Sequence, residues 1–190
     1  KEFCGTSLRI VQADILHVRF DDILPADISF VIAGNFPYNI SSQIVFLGLQ
    51  LRHRVPFMAG MFQKEMAERI CSDPGSKAFG VISVLVQAYY NTSLLFTVKP
   101  GSFAPPPKVQ SAVISLTRYR HEIEGVPYNV LRQVVKMAFS QRRKKIRNTL
   151  KSLIPEETLK ELALVDLRPE QLTVDQFITL ARIVATSPAI

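Results

Sequence analysis

The run Ile28-Ser29-Phe30-Val31-Ile32-Ala33-Gly34 stops at the polar, aromatic-flanked tetrapeptide Asn35-Phe36-Pro37-Tyr38. A short apolar run bounded by turn residues reads as a buried strand. Ser41 or Ser42 can cap a helix through Ile44, Phe46, Leu47 and Leu51, which Pro56 breaks. A planar, polar turn between such a strand and such a helix is where open α/β sheets place their ligands.

The pattern continues on both sides. Leu8–Ala13 reads as a strand ending at Asp14, and Phe57–Phe62 as another. Gln63–Cys71 follows as a helix with Met66 and Ile70 on one face. Val81–Tyr90 fits either a helix with Val81, Leu85 and Ala88 inward or a strand. Leu94–Val98 and Ala112–Leu116 are strand-like and flank the stretch Pro100–Pro107. Alternating strands and helices predict an α/β layered domain over residues 1–120.

From about Glu122 the strand pattern ends. Val130, Leu131, Val134, Val135 and Ala138 follow helical spacing, and Ile146, Leu150 and Leu153 predict a second helix. Pro155 before Glu156-Glu157 reads as a helix start. Thr173 with Gln176 fits a capping box ahead of Phe177, Leu180, Ala181 and Val184. Residues 121–190 are therefore expected to form a small all-helical domain.

A hydrophobic fraction of 47% supports a folded core, and the net charge of +7 favours a polyanionic partner, nucleic acid before membrane. The two cysteines, Cys4 and Cys71, lack metal or disulfide spacing, so no metal is indicated and a reducing cytoplasm is the expected setting. No segment reaches the roughly 18–20 apolar residues of a spanning helix, so no membrane role is expected.

The tetrapeptide suits the methylation of an exocyclic amine. The 6-amino nitrogen of adenine is a poor nucleophile because its lone pair is delocalised into the ring. Two acceptors gripping its hydrogens favour a tetrahedral nitrogen with a localised pair. The Asn35 side-chain carbonyl can be one acceptor and the Phe36 main-chain carbonyl the other, its direction fixed because Pro37 follows. Tyr38 can stack on the base, which has first to be unpaired or extruded. The bland alternative is an ordinary turn, since Asn and Pro are common there.

A second constellation is Phe103-Ala104-Pro105-Pro106-Pro107-Lys108-Val109, whose prolines make a stiff segment able to hold Phe103 against the other face of a base. A rigid connector with Phe103 in the core is the competing reading. The third is Ser140–Asn148, where Arg142, Arg143, Lys144, Lys145 and Arg147 crowd together without an acid. Adjacent cations on a helix would spread around its circumference and suit a phosphate backbone. Asp14, closing a strand, stands where nucleotide-binding α/β proteins often hold an adenosyl group, although it can equally be a turn former.

Asn35–Tyr38, Phe62–Arg69, Phe103–Val109 and Phe139–Asn148 together resemble the KsgA family of S-adenosylmethionine-dependent adenine dimethyltransferases of small-subunit ribosomal RNA. The resemblance implies a Rossmann-like methyltransferase sheet followed by helices, S-adenosylmethionine as methyl donor, and two neighbouring dimethyladenosines near the RNA 3′ end as product. It implies that Asn35 and Phe36 grip the amine and that Tyr38 and Phe103 sandwich the base. Asp14, Ile15 and Asn35 would meet the cofactor, and Lys108, Arg142, Arg143, Lys144, Lys145 and Arg147 the ribosomal RNA. Phe36 stands where the family more usually has Leu or Ile; its carbonyl does the work, so the mechanism is expected unchanged. A monomer is expected.

The family opens with a strand, a glycine-rich loop and a second strand that this sequence does not show. In the implied sheet those strands lie between Leu8–Ala13 and Ile28–Gly34. The first is thus expected to lack a neighbour and the second to expose an edge. The chain is accordingly expected to be the C-terminal portion of a longer enzyme, with weak or absent cofactor binding and no turnover alone, and RNA binding partly kept. A non-catalytic RNA-binding or ribosome-assembly factor on the same scaffold is the alternative. A DNA amino-methyltransferase is disfavoured by the Phe103–Val109 and basic segments.

Overall fold

The computed structural model describes residues 9–186. Four strands form one mixed sheet in the order β1-β2-β4-β3, with β1 spanning Ile32–Asn35, β2 Phe57–Gln63, β3 Tyr90–Val98 and β4 Ser111–Arg118. β1 and β2 are parallel, in register Ile32↔Met58 and Gly34↔Gly60, and are joined through helix α1, Ser41–Gln50. Parallel neighbours need such a crossover. β4 runs antiparallel between β2 and β3.

α1 buries Ile44, Val45, Gly48 and Leu49 against the sheet. Its approach depends on Gly48, where a Cβ would fall 2.2 Å from the Met58 sulfur. α2 (Lys64–Ile70) leaves β2 directly, and α3 (Val81–Gln87) settles the ambiguity of the Val81–Tyr90 run as a helix followed by the start of β3. Ile82 to Val86 are all buried in α3. The one polar member, Ser83, donates to the Arg69 carbonyl and accepts from the Gly80 amide, so nothing in this all-round buried helix is left unpaired.

After β4 the described residues contain no strand; their α-helices are α4 (Tyr128–Ser140), α5 (Ile146–Thr149), α6 (Glu156–Glu161) and α7 (Val174–Thr186), with a 3-10 turn at Pro169–Gln171. α4 buries Leu131, Val134, Val135 and Ala138, the stripe its spacing predicts. At the head of α7 the Thr173 hydroxyl accepts from the Gln176 amide at 3.2 Å, and the Thr173 amide donates to Gln176 Oε1 at 2.9 Å. That is the expected capping box. Phe139 stacks on Phe177, with ring centroids 5.7 Å apart, and meets Phe79 edge-on, joining these helices to the α/β layer.

Three sequence expectations need correction. Arg9–Ala13 forms no strand, while Leu8 lies outside the described residues. Ile10 is 78% exposed, and without a laddered neighbour an apolar stretch has no reason to be extended. The Ile28–Gly34 run joins the sheet only from Ile32, for the same reason. Its first half is held instead by the buried Arg54, which donates to the Ile28 and Pro25 carbonyls and pairs with Asp21 at 2.6 Å. The outer side of β1 carries no strand among the described residues. Finally, Arg142–Lys145 is a turn between α4 and α5 and not part of a helix, and α5 stops at Thr149, short of Leu150 and Leu153.

Candidate active site

β1 ends at Asn35, and the chain turns through Phe36-Pro37-Tyr38 into α1. Phe36 aims its ring into the sheet, across the paired glycines Gly34 and Gly60 and edge-on to Phe62 at 5.3 Å. That buried ring anchors the turn. Asn35 next to it is exposed, and its carboxamide has no hydrogen-bond partner among the described residues; nor has the Phe36 carbonyl. Both acceptors are thus free for a ligand. Tyr38 is half-buried, its hydroxyl 2.5 Å from the Ser111 Oγ at the start of β4.

The segment that precedes β4 closes the other side. Pro100–Ser102 forms a single 3-10 turn, the Ala104–Pro105 peptide is cis, and the Lys64 amide donates to the Gln110 carbonyl at 2.9 Å. The result is an open cleft of about 350 Å³ lined by Asn35, Phe36, Pro37, Tyr38, Phe103, Pro105 and Pro107. The two motifs, some 65 residues apart in the chain, meet here. Ser111, fully buried, ties Tyr38 to the end of the proline segment. No sequence signal distinguishes it from any other strand-starting serine.

Asp14 and Ile15 do not line this cleft. Asp14 is exposed in a turn and accepts from the Leu16 amide at 2.9 Å and from His17 Nδ1 at 2.8 Å. The Leu16 amide first, then His17, hold its carboxyl below the usual range, so it stays an ionised acceptor with lone pairs to spare for an amine. Ile15 is half-buried and packs on the core.

The cations of the basic segment are not equivalent. Arg142 donates to the Lys77 and Phe79 carbonyls at 2.6 and 2.8 Å, fastening the turn to the loop before α3. Lys145 and Arg147 both reach Asp166, at 3.1 and 3.0 Å, and the hydrogen bond from Lys145 lowers the Asp166 pKa. Arg143, Lys144 and Lys108 are exposed, and their side chains make no hydrogen bond or ion pair with any described residue. Among the described residues no helix is long and apolar enough to cross a membrane.

The family model for ribosomal RNA adenine dimethylase matches residues 1–186. The chain belongs to the ribosomal RNA adenine dimethylase family. It is 48% identical over 174 residues to ribosomal RNA small subunit methyltransferase A of Flavobacterium johnsoniae, covering 92% of this chain and 66% of that protein. To the protein of the same name from Porphyromonas gingivalis it is 44% identical over 181 residues, covering 95% and 70%. The chain thus spans about two thirds of the length of these relatives. A dimethyladenosine transferase from Plasmodium falciparum superposes with a TM-score of 0.78 at 22% identity, covering 92% of this chain and 71% of that one. The 23S rRNA methyltransferase ErmE gives 0.61 at 22%, covering 91% and 70%. These likenesses establish the Rossmann-like methyltransferase fold of the dimethylase family.

Proposed function

We propose that this chain carries the acceptor half of an adenine dimethyltransferase acting on small-subunit ribosomal RNA. The observation that supports it is the cleft in which the Asn35 carboxamide and the Phe36 carbonyl stand unpaired between Tyr38 and the Phe103 segment. An unpaired adenine enters with its faces against Tyr38 and Phe103. Its amine donates to Asn35 Oδ1 and the Phe36 carbonyl, which draws the nitrogen toward a tetrahedral geometry and localises its lone pair. S-Adenosylmethionine, when bound, supplies an electrophilic methyl group; of the residues in this chain, Asp14, Ile15 and Asn35 would hold it. Asp14 fits, as an exposed ionised acceptor. Positioning and preorganised dipoles supply the catalysis, with no general base. The methylated nitrogen then gives up a proton to water, and a second transfer, with the one remaining N–H held by either acceptor, gives the dimethylated amine.

On this reading residues 1–120 form the catalytic part, and residues 121–190 a helical part that helps hold the RNA. Arg143, Lys144 and Lys108 contact phosphate directly. Arg142 fixes the turn that presents them, and Lys145 and Arg147 share Asp166. The test is Asn35→Ala in the full-length protein, assayed for methyl transfer to immature small subunits. Transfer is expected to be lost with RNA binding kept within about twofold, because the side chain holds nothing else in place. Unchanged turnover rejects the amine-gripping role.

A further inference from the structure

A second concavity, of about 440 Å³, lies between α1, α3 and α4. Its floor is apolar, from the partly buried Phe46 and Leu47 on α1 and Val81 on α3, with the buried Leu85 beneath them. Its rim carries Gln43 and Gln50 from α1 and Arg132 and Lys136 from α4. The side chains of these four are exposed and make no hydrogen bond or ion pair with a described residue. No acid is among the described residues lining it. His17, also at the rim, is tied through Nδ1 to Asp14.

The groove's place in the fold narrows what it takes. α1 starts three residues after Tyr38, so Gln43 lies within about one helical turn of the cleft's edge. Just beyond the far end of α1, Arg52 lies over the neighbouring rings of Tyr89 and Tyr128, 4.8 and 5.0 Å from their centroids, and Tyr128 opens α4. The two helices therefore run in opposite senses along the groove. Lys136 lies toward the Gln43 end, and α4 goes on from there to the turn that bears Arg143 and Lys144. The groove thus lies beside the path between the acceptor cleft and the unpaired cations.

We infer that this groove is a second RNA subsite that holds one unpaired nucleotide beside the target adenine. An apolar floor with an aromatic member suits a base face, and sequence-tolerant stacking needs no more. Gln43 and Gln50 offer both donors and acceptors to a base edge. Arg132 and Lys136, one turn apart on the same face of α4, suit the phosphates on either side of that base. The inference rests on the proposed RNA substrate. It adds a contact that would fix the register of the strand relative to Asn35.

Two measurements test it. The first is photo-cross-linking of a single-stranded RNA bearing 5-iodouridine, with the adduct mapped by mass spectrometry. Adducts at Phe46 or Tyr128 are expected, and adducts confined to residues 142–147 overturn the subsite. The second is the salt dependence of RNA binding in Arg132→Gln/Lys136→Gln, a surface change that leaves the core intact. Two lost phosphate contacts flatten the slope of log K against log salt by about 1.4 and weaken binding on the order of tenfold at physiological salt; an unchanged slope overturns the subsite. AMP that protects the groove while no RNA cross-links to it assigns the site to a free nucleotide and also overturns the inference. The cross-link does not depend on methyl transfer, so a protein that cross-links at Phe46 yet transfers nothing supports the subsite while rejecting the catalytic reading.

Discussion

Gly60→Ala tests whether the acceptor turn is positioned from beneath. A Cβ at residue 60 would lie 2.2 Å from Phe36 Cε2, 2.7 Å from Cδ2 and 3.0 Å from the Gly34 carbonyl oxygen. Carbon atoms prefer about 3.5–4.0 Å, so the ring has to move roughly 1.3–1.8 Å. Phe62 closes one side of it, edge-on, and the Gly34 carbonyl belongs to the ladder and cannot yield. The ring must lift, and Asn35 and the Phe36 carbonyl lift with it. Overpacking of this kind costs about 1–3 kcal/mol. A misplacement near 1 Å at the reacting groups costs on the order of a hundredfold in rate. Urea denaturation measures the first effect, and methyl transfer by the full-length protein the second. Gly34→Ala serves as an internal standard, because its Cβ would stand 3.2 Å from the same ring and ask for only a few tenths of an ångström. Gly60→Ala should therefore be clearly the worse of the two. Phe36→Leu, which removes the clashing ring atoms, should recover most of the loss in the double variant. A Gly60→Ala protein as stable and active as the parent, or a double variant no better than the single one, would falsify the platform argument.

Ser111→Ala and Tyr38→Phe each remove the hydroxyl pair that fixes the Tyr38 ring, and each should cost about 1 kcal/mol with a several-fold drop in transfer. The two losses should not add; a fully additive double variant would show that the pair is not acting as one. Arg142→Ala should destabilise the fold by about 1–2 kcal/mol through its two carbonyl bonds. Arg143→Ala/Lys144→Ala should leave stability within about 0.5 kcal/mol and flatten the salt slope of RNA binding by about 1–2. Equal effects of the two changes on stability would contradict the division. Burial pushes Tyr90 up to about 12 and raises Tyr89 and Tyr128 as well. The unfolded chain gives up these protons near its ordinary value of 10, before the folded one does. Stability is thus full below about pH 10 and falls as pH rises toward 12. Absorbance at 295 nm should rise later in the native protein than in urea, and coincident titrations would refute the burial effect.

The acceptor motifs could be read from sequence because each carries its own local physics. Pro37 makes Phe36 extended, and a proline run is stiff wherever it stands; Asn35 by itself reads equally well as a turn former. Their meeting in one cleft could be expected only through family resemblance, since nothing in either segment names the other. What stayed hidden depends on partners distant in sequence. The Ile28–Gly34 run looks like one strand by hydropathy, yet a strand is made by its neighbours, and Ile28–Val31 meets no strand among the described residues; the Phe30 amide donates to the Arg54 carbonyl and the Ile28 amide, locally, to that of Pro25. Arg142, Arg143 and Lys145 are indistinguishable as charges in a row. Only the Lys77 and Phe79 carbonyls and Asp166, each about 20 to 65 residues away, separate the cation that braces the turn and the cation that is neutralised from the one left free. The same reasoning explains Gly34 and Gly60. Each alone is a weak strand residue. Paired in register they become the floor on which Phe36 lies, and the closer approach of the ring to residue 60 makes the second glycine the more exacting of the two.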